Sequence, residues 1–273
     1  MTYIFLTGAC GIIGQKLIKL FIDNKTINSN TKLILLDNLS KTYDIYPIKY
    51  YLFDENIIYH HCDLTNIFSV KMYLNLYKPK AIIHAADGYY NEDKDTYLFN
   101  NYSIFSNIYK EIINFKTTLI YFNGLYDNKN IINLLENEKN LNVSLIKYNI
   151  HNIISDSIIN DELICGKDDI IYKILYLIRA GNKLYLNNMY KTKKLKFNEI
   201  DDLMNNILNN IYLILNFNDN KIYNHNIQLE YIEYSIEELF LKIISKIDIS
   251  TKIKEILGIE YSESYNIISN KIY

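Results

Sequence analysis

The chain has no tryptophan, one arginine (Arg179), three cysteines and only eight glycines in 273 residues. Each shortage excludes something. A lone arginine removes the bidentate guanidinium that proteins commonly use to grip phosphates. Cys10, Cys62 and Cys165 are odd in number and share no C-x-x-C spacing, which suits reduced thiols in a reducing compartment rather than a disulfide scaffold. No run of eighteen apolar residues occurs, and no basic amino-terminal region leads into a hydrophobic stretch with a small-residue cleavage site. The expectation is a cytoplasmic protein with no membrane contact. A net charge of −2 and 49% hydrophobic residues speak against disorder and against broad nucleic-acid binding. The length allows one large domain or two modest ones.

What is present is concentrated at the start. Tyr3-Ile-Phe-Leu-Thr7 is a short apolar run, followed by Gly8-Ala-Cys-Gly11-Ile-Ile-Gly14 and a helical pattern through Phe21. With so few glycines, three of them at this spacing are unlikely to coincide by chance. A strand that turns through such a loop into a helix is a dinucleotide-binding arrangement. One glycine makes the tight turn, one lets backbone approach a pyrophosphate, and one lets helix pack on strand. The free N–H groups at the helix start then face the phosphates. Thr31 to Asp37 reads as the second strand and ends on an acid 23 residues after Gly14. A carboxylate there accepts hydrogen bonds from ribose hydroxyls and repels a 2′-phosphate, which favours NAD over NADP.

Further strands are expected at 56–60, 80–86, 117–122 and 143–148, with helices near 95–115 and 129–139 between them. Asp63 or Thr65 is the expected cap of the helix after the third strand. His60, His61, Cys62 and Asp63 resemble a ligand set, but adjacent strand residues point to opposite faces, so no metal site is expected. Strict alternation of strand and helix from Tyr3 to Tyr148 predicts an α/β fold, a Rossmann-type doubly wound parallel sheet. After Tyr148 the pattern changes to helices near 168–180, 201–215, 235–247 and 250–257, with short strands near 183–187, 193–197 and 221–224. This predicts a dinucleotide-binding domain over 1–150 and a smaller C-terminal α+β substrate domain over 151–273. The lysines at 191, 193, 194 and 196 read most simply as a solvated strand face.

Taken together, Thr7-Gly8-x-x-Gly11-x-x-Gly14, Asp37-Asn-Leu-Ser40, Asp63-Leu64, His84-Ala-Ala86 and Tyr97-x-x-x-Asn101 resemble the extended short-chain dehydrogenase/reductase family. These are the NAD-dependent epimerases and dehydratases of nucleotide sugars. Gly181-Asn-Lys-Leu-Tyr-Leu, Lys194 to Leu203, Ile222-Tyr-Asn224 and Tyr234 to Leu239 are similar to the family's substrate-domain order. The resemblance implies NAD as cofactor and a nucleotide-sugar small molecule as ligand. It implies that Gly8, Gly11, Ile13 and Gly14 cradle the pyrophosphate, Asp37 and Asn38 the ribose, and Asp63 and Leu64 the adenine. Ala85 and Ala86 would line the cofactor channel, with Asn101 near the nicotinamide. It further implies a homodimer, through the helix that carries Asn101 and a second helix that is shortened here.

The family's catalytic residues do not carry over. A Ser or Thr should follow the fifth strand, where this chain reads Tyr121-Phe-Asn-Gly-Leu-Tyr126. The family's Tyr-x-x-x-Lys should follow about twenty residues later on a long helix, and that segment is missing. The pairs Tyr90/Lys94 and Tyr190/Lys194 have the spacing, but about three chance matches are expected in so Tyr- and Lys-rich a chain. Tyr126 and Lys129 are the nearest substitute, at i, i+3, although Tyr126 falls in the loop before the helix. Three readings follow: an NAD-dependent epimerase or dehydratase with an improvised base, a catalytically inactive NAD-binding relative serving as a regulatory or scaffold subunit, or an RNA- or DNA-binding adaptor on this fold, which has only the lysine cluster behind it.

Overall fold

The structure is a computed structural model. It describes residues 1–40, 45–87, 94–113, 115–123, 128–137, 143–154, 170–180, 184–188, 193–216, 224–247 and 259–262. The expected helix at 250–257 and the residues Cys165, Gly181 and Lys191 lie outside these.

Seven strands form one sheet in the order β10-β6-β5-β4-β1-β2-β3, every neighbouring pair parallel. They are β1 (Thr2–Thr7), β2 (Thr31–Asp37), β3 (Ile57–His61), β4 (Ala81–His84), β5 (Thr117–Asn123), β6 (Val143–Asn149) and β10 (Asn224–Gln228). A parallel sheet covered on both faces needs apolar residues on both sides of each strand. Ile4 to Leu6, Leu33 to Leu36 and Ala81 to Ile83 meet that need and are all but fully buried. Phe5, Ile34, Leu36, Ile82, Leu119 and Tyr121 pack on one face with residues of α2 (Ile67–Tyr77), α3 (Lys94–Ile112) and α4 (Lys129–Asn137). The alternate residues, such as Ile4, Leu6, Leu33 and Leu35, turn to the opposite face. There lie α1 (Ile12–Asp23) and α6 (Ile200–Asn216), linked by a Lys16–Asp201 ion pair at 2.9 Å. The doubly wound sheet is as expected, with strand ends within one or two residues.

Two compact units emerge, and they interleave along the chain. The first takes Met1–Ile150 and Asp201–Leu229; the second takes His151–Ile200 and Glu230–Tyr273. The interleaving has a simple cause. The strand expected near 221–224 runs over Asn224–Gln228 and pairs with β6, from Asn224 against Leu145 to Gln228 against Asn149. It extends the large sheet, and α6, which leads into it, covers that sheet. Tyr148, fully buried, receives a 2.6 Å hydrogen bond on its hydroxyl from Asn210 of α6.

The second unit contains β7 (Asn152–Ile154), β9 (Lys194–Glu199) and β11 (Ile232–Ser235) in one small sheet, and β8 (Leu184–Asn187) with β12 (Ile259–Ser262) in another. With α5 (Ile170–Arg179) and α7 (Ile236–Lys246) this is an α+β unit. Asn198, wholly buried, accepts from the His151 N–H at 2.6 Å and donates to the Glu230 carbonyl at 2.7 Å. It joins the three chain segments near the points where each enters or leaves the unit. Lys194 is exposed, and Lys196 lies over the Tyr231 ring at 4.1 Å.

Candidate cofactor site

In this sheet the strand order reverses between β1 and β4, and a doubly wound fold opens its crevice there, beyond the carboxyl ends of the strands. The loop after β1 and the Ala85-Ala86 pair after β4 meet at this point. Gly8 sits at φ +68°, and a Cβ added to it would lie 2.6 Å from the Ala86 nitrogen and 2.7 Å from the Ala85 carbonyl. Only glycine combines that backbone angle with that approach. Gly14 has the packing role: a Cβ there would strike the Gly8 carbonyl oxygen and come within 2.7 Å of the Ala9 carbonyl carbon.

Gly11 differs from both. Its backbone, at φ −73° and ψ 168°, suits any residue, and an added Cβ would meet only the Gly8 oxygen, at 3.2 Å. The demand for glycine is weaker there than at Gly8 or Gly14, resting on that one tight contact with a backbone oxygen. Gly11 is also the N-cap of α1, which has no side-chain cap and no acid in its first turn. The helix start is therefore electropositive, with no side chain of its own capping it.

The loop is braced from several sides. Gly8 N–H donates to the Leu36 carbonyl at 2.9 Å, and buried Gln15 donates to the Cys10 carbonyl at 2.8 Å. Asp37, at the end of β2, accepts from the Cys10 N–H at 2.9 Å through Oδ2 and from the Leu39 N–H at 2.7 Å through Oδ1. The carboxylate is thus held against the glycine loop while staying half-exposed. Tyr59 donates to the Asp37 carbonyl at 3.2 Å, and the Cys62 N–H does so at 3.0 Å. Burial first, and then the neighbouring Cys10, Asp37 and Cys62, push the Tyr59 phenol up.

Across the crevice, Thr7 and His84 are partners in the β1–β4 ladder. Thr7 Oγ1 lies 2.8 Å from His84 Nδ1 and accepts from the Ala86 N–H at 3.2 Å. Giving the hydroxyl proton to Nδ1 satisfies both bonds, with the ring hydrogen on Nε2. Burial lowers the His84 pKa to about 4, so the ring is neutral near pH 7.

The predicted site residues fall as follows. Gly8, Gly11, Ala85 and Ala86 lie on the loops at the switch point, Ile13 and Gly14 in the first turn of α1, and Asp37 at the end of β2, followed by exposed Asn38. Asp63 is exposed, whereas the Leu64 side chain is buried in the core, leaving its backbone as the part near the surface. Asn101 is half-buried on α3, one turn from Tyr97, whose hydroxyl lies 2.9 and 3.0 Å from the two Asp87 carboxylate oxygens. The expected cap of α2 is corrected. Asn66 caps it, accepting from Phe68 N–H at 3.0 Å, while Asp63 Oδ1 closes a turn on the Thr65 N–H and hydroxyl. The helix starts later than the Asp63 and Thr65 readings required, at Ile67.

On the catalytic side, Lys129 is the exposed first residue of α4, whose start is held by Asn128; Tyr126, Tyr90 and Tyr190 lie outside the described residues. Tyr121, the tyrosine on β5, is 6% exposed, stands edge-on to Phe105 and has its pKa raised by burial. A catalytic tyrosine base needs the opposite shift. His60 is stacked on Tyr73 and bonded to the Tyr77 hydroxyl at 2.8 Å, a packing role. Among the described residues, no group of three or more His, Cys, Asp or Glu is placed to hold a metal, and no helix is long and apolar enough to cross a membrane. Sequence reading missed the bracing by Gln15, Tyr59 and Asn128. Only Asn128, an Asn directly before a helical run, carried a local signal.

The fold and the glycine loop define a doubly wound α/β protein. Residues 4–128 match the model of the NAD dependent epimerase/dehydratase family. Among similar solved structures is UDP-glucuronic acid 4-epimerase from Bacillus cereus in complex with UDP-glucuronic acid and NAD. It is 15% identical, with a TM-score of 0.67, 96% of this chain and 87% of that chain being covered. The dTDP-glucose 4,6-dehydratase DesIV from Streptomyces venezuelae is 11% identical, with a TM-score of 0.70 and coverages of 95% and 84%. The Bordetella bronchiseptica enzyme WbmH, in complex with NAD+, is 14% identical, with a TM-score of 0.67 and coverages of 96% and 85%. No curated protein sequence matches the chain.

Two predictions follow from the geometry. Gly14→Ala forces backbone atoms apart and should cost about 2 kcal/mol or more, whereas Gly11→Ala should cost under about 1 kcal/mol. Denaturant unfolding of both variants checks this, and equal costs would contradict the separate roles. The second concerns His84. Its folded pKa lies below the ordinary 6.5, so the unfolded chain takes up the proton first as pH falls. The stability His84 contributes is complete above pH 6.5 and is lost toward pH 4, on the order of 3 kcal/mol. Unfolding measured from pH 7 to 4 should fall more steeply in the wild type than in His84→Gln; parallel curves would remove His84 as the cause.

Proposed function

We propose that the first unit binds NAD at the β1–β4 switch point and that the protein acts on, or holds, a nucleoside-diphosphate hexose in the manner of an epimerase or dehydratase. The observation that carries the proposal is Gly11. Its backbone angles do not call for glycine and an added Cβ would meet one atom, the Gly8 oxygen at 3.2 Å, a milder approach than at Gly8 or Gly14; the position is a glycine beside an uncapped helix start, which suits a pyrophosphate contact.

In this reading the backbone of Gly8, Gly11, Ile13 and Gly14 receives the pyrophosphate. Asp37, already fixed by the Cys10 and Leu39 N–H groups, has further lone pairs for ribose hydroxyls, and Asn38 stands next to it. Asp63 faces the adenine through its carboxylate and Leu64 through its backbone. Ala85 and Ala86 keep the channel narrow and free of bulk, with Asn101 toward the nicotinamide. Bound NAD supplies a reversible hydride acceptor. The second unit is the substrate-binding part in the same proposal, which also makes the protein cytoplasmic and a homodimer through α3, where Phe99 is 63% exposed.

A specific observation favours the second reading, a catalytically silent NAD-binding relative. Between β5, ending at Asn123, and β6, beginning at Val143, the only described helix is the nine-residue α4. Loss of a general base alone costs about 10²–10⁴-fold. Incubation with NAD and a panel of UDP-, dTDP- and GDP-hexoses, with products read by mass spectrometry and NMR, separates the readings. The expected outcome is weak or no turnover. Robust epimerisation or dehydration abolished by Tyr126→Phe would establish an enzyme with an improvised base.

A further inference from the structure

The loop after β3 carries Asp63, and α3 holds that loop in place. Asn107, half-buried on α3, donates from its side-chain amide to the Leu64 carbonyl and to the Thr65 carbonyl, both at 3.0 Å. An amide nitrogen has two hydrogens, so the two bonds use its full donor capacity. Inside the loop, Asp63 Oδ1 accepts from the Thr65 N–H at 2.9 Å and from its hydroxyl at 2.8 Å, while the Asp63 carbonyl accepts from the Asn66 N–H at 3.1 Å. The orientation of the Asp63 carboxylate therefore follows that of Thr65. Thr65 in turn is tied to the rest of the molecule by Asn107 and by the helix start that Asn66 caps.

We propose that Asn107 is a positioning residue that sets how strongly the cofactor site discriminates adenine from other purines. The inference rests on the NAD reading given above. An exposed carboxylate accepts a hydrogen bond from the exocyclic amine of adenine. At the same place hypoxanthine presents the acceptor oxygen O6, which repels the carboxylate, and its one donor on that edge, N1–H, lies one ring position away and needs a different carboxylate direction. Discrimination of that kind depends on where the carboxylate points more than on whether the loop exists. Without Asn107, the Leu64 and Thr65 carbonyls lose its amide and the Asp63–Thr65 turn is held less firmly against α3. The burial of Leu64 and the bond from the Cys62 N–H to Asp37 still anchor the base of the loop. The variant should consequently fold and bind dinucleotide, but bind it with poorer choice of base.

The test is isothermal titration with NAD and with its hypoxanthine analogue, deamino-NAD, giving the ratio of the two affinities. Wild type is expected to prefer NAD about tenfold. In Asn107→Ala the ratio should fall to near one, and in Asn107→Ser, which keeps a single donor, to an intermediate value. Asp63→Asn should also lower the ratio, and adding Asn107→Ala to it should lower it no further. A general loss of stability weakens both ligands alike and leaves the ratio unmoved. Should Asn107→Ala fail to fold, the serine variant gives the same reading. NAD binding with an unchanged ratio in the Asn107 variants, or a wild-type ratio near one, would overturn this proposal alone. No NAD binding by wild type would overturn the cofactor reading, and this inference with it.

Discussion

The close approach of β1 and β4 is the constraint on which the site depends. Gly8 brings the backbone of the first loop against Ala85 and Ala86 with no room for a side-chain atom between them. The Thr7–His84 pair then locks the two strand ends by a bond that also captures the Ala86 N–H. A bond across 77 residues at the reversal of strand order makes the crevice a property of the sheet itself. Removal of water from this pair gives it its strength and keeps His84 neutral near pH 7.

The rest of the cofactor half is arranged around that junction. Asp37 is turned toward the loop by the Cys10 and Leu39 N–H groups, and the loop is propped by Gln15. On the far side α3 acts as a strut. It reaches the loop after β3 through Asn107, the loop after β4 through Tyr97, and the start of α4 through the Leu98 carbonyl, which Asn128 donates to at 2.7 Å. One helix thus registers three successive loops at the carboxyl edge of the sheet. The region after β5 has no such elaboration among the described residues.

Much of this was legible before any coordinates. Strands buried on both faces must be continuously apolar, so Tyr3 to Thr7 and Thr31 to Asp37 announce themselves, and a glycine triplet in a glycine-poor chain marks the loop between them. The readings that shifted were those set by distant partners. Residues 224–228 carry the polar signature of an edge strand, and only pairing with β6 assigns them to the large sheet. Asp63 and Thr65 are good capping residues in isolation, but burial of Leu64 in the core leaves the capping position to Asn66. Asn107 was invisible because its partners lie more than forty residues away and its own helix pattern gives no hint of them.

The central proposal is that the backbone at Gly11, whose own angles do not require glycine, receives the ligand. Titration of NAD into the wild-type protein and into Gly11→Ala tests it most directly. The account predicts saturable binding below millimolar NAD by the wild type, weakened at least tenfold in a variant that unfolds at nearly the wild-type denaturant concentration. Equal binding by the two proteins, or no binding by the wild type at millimolar NAD, would contradict it.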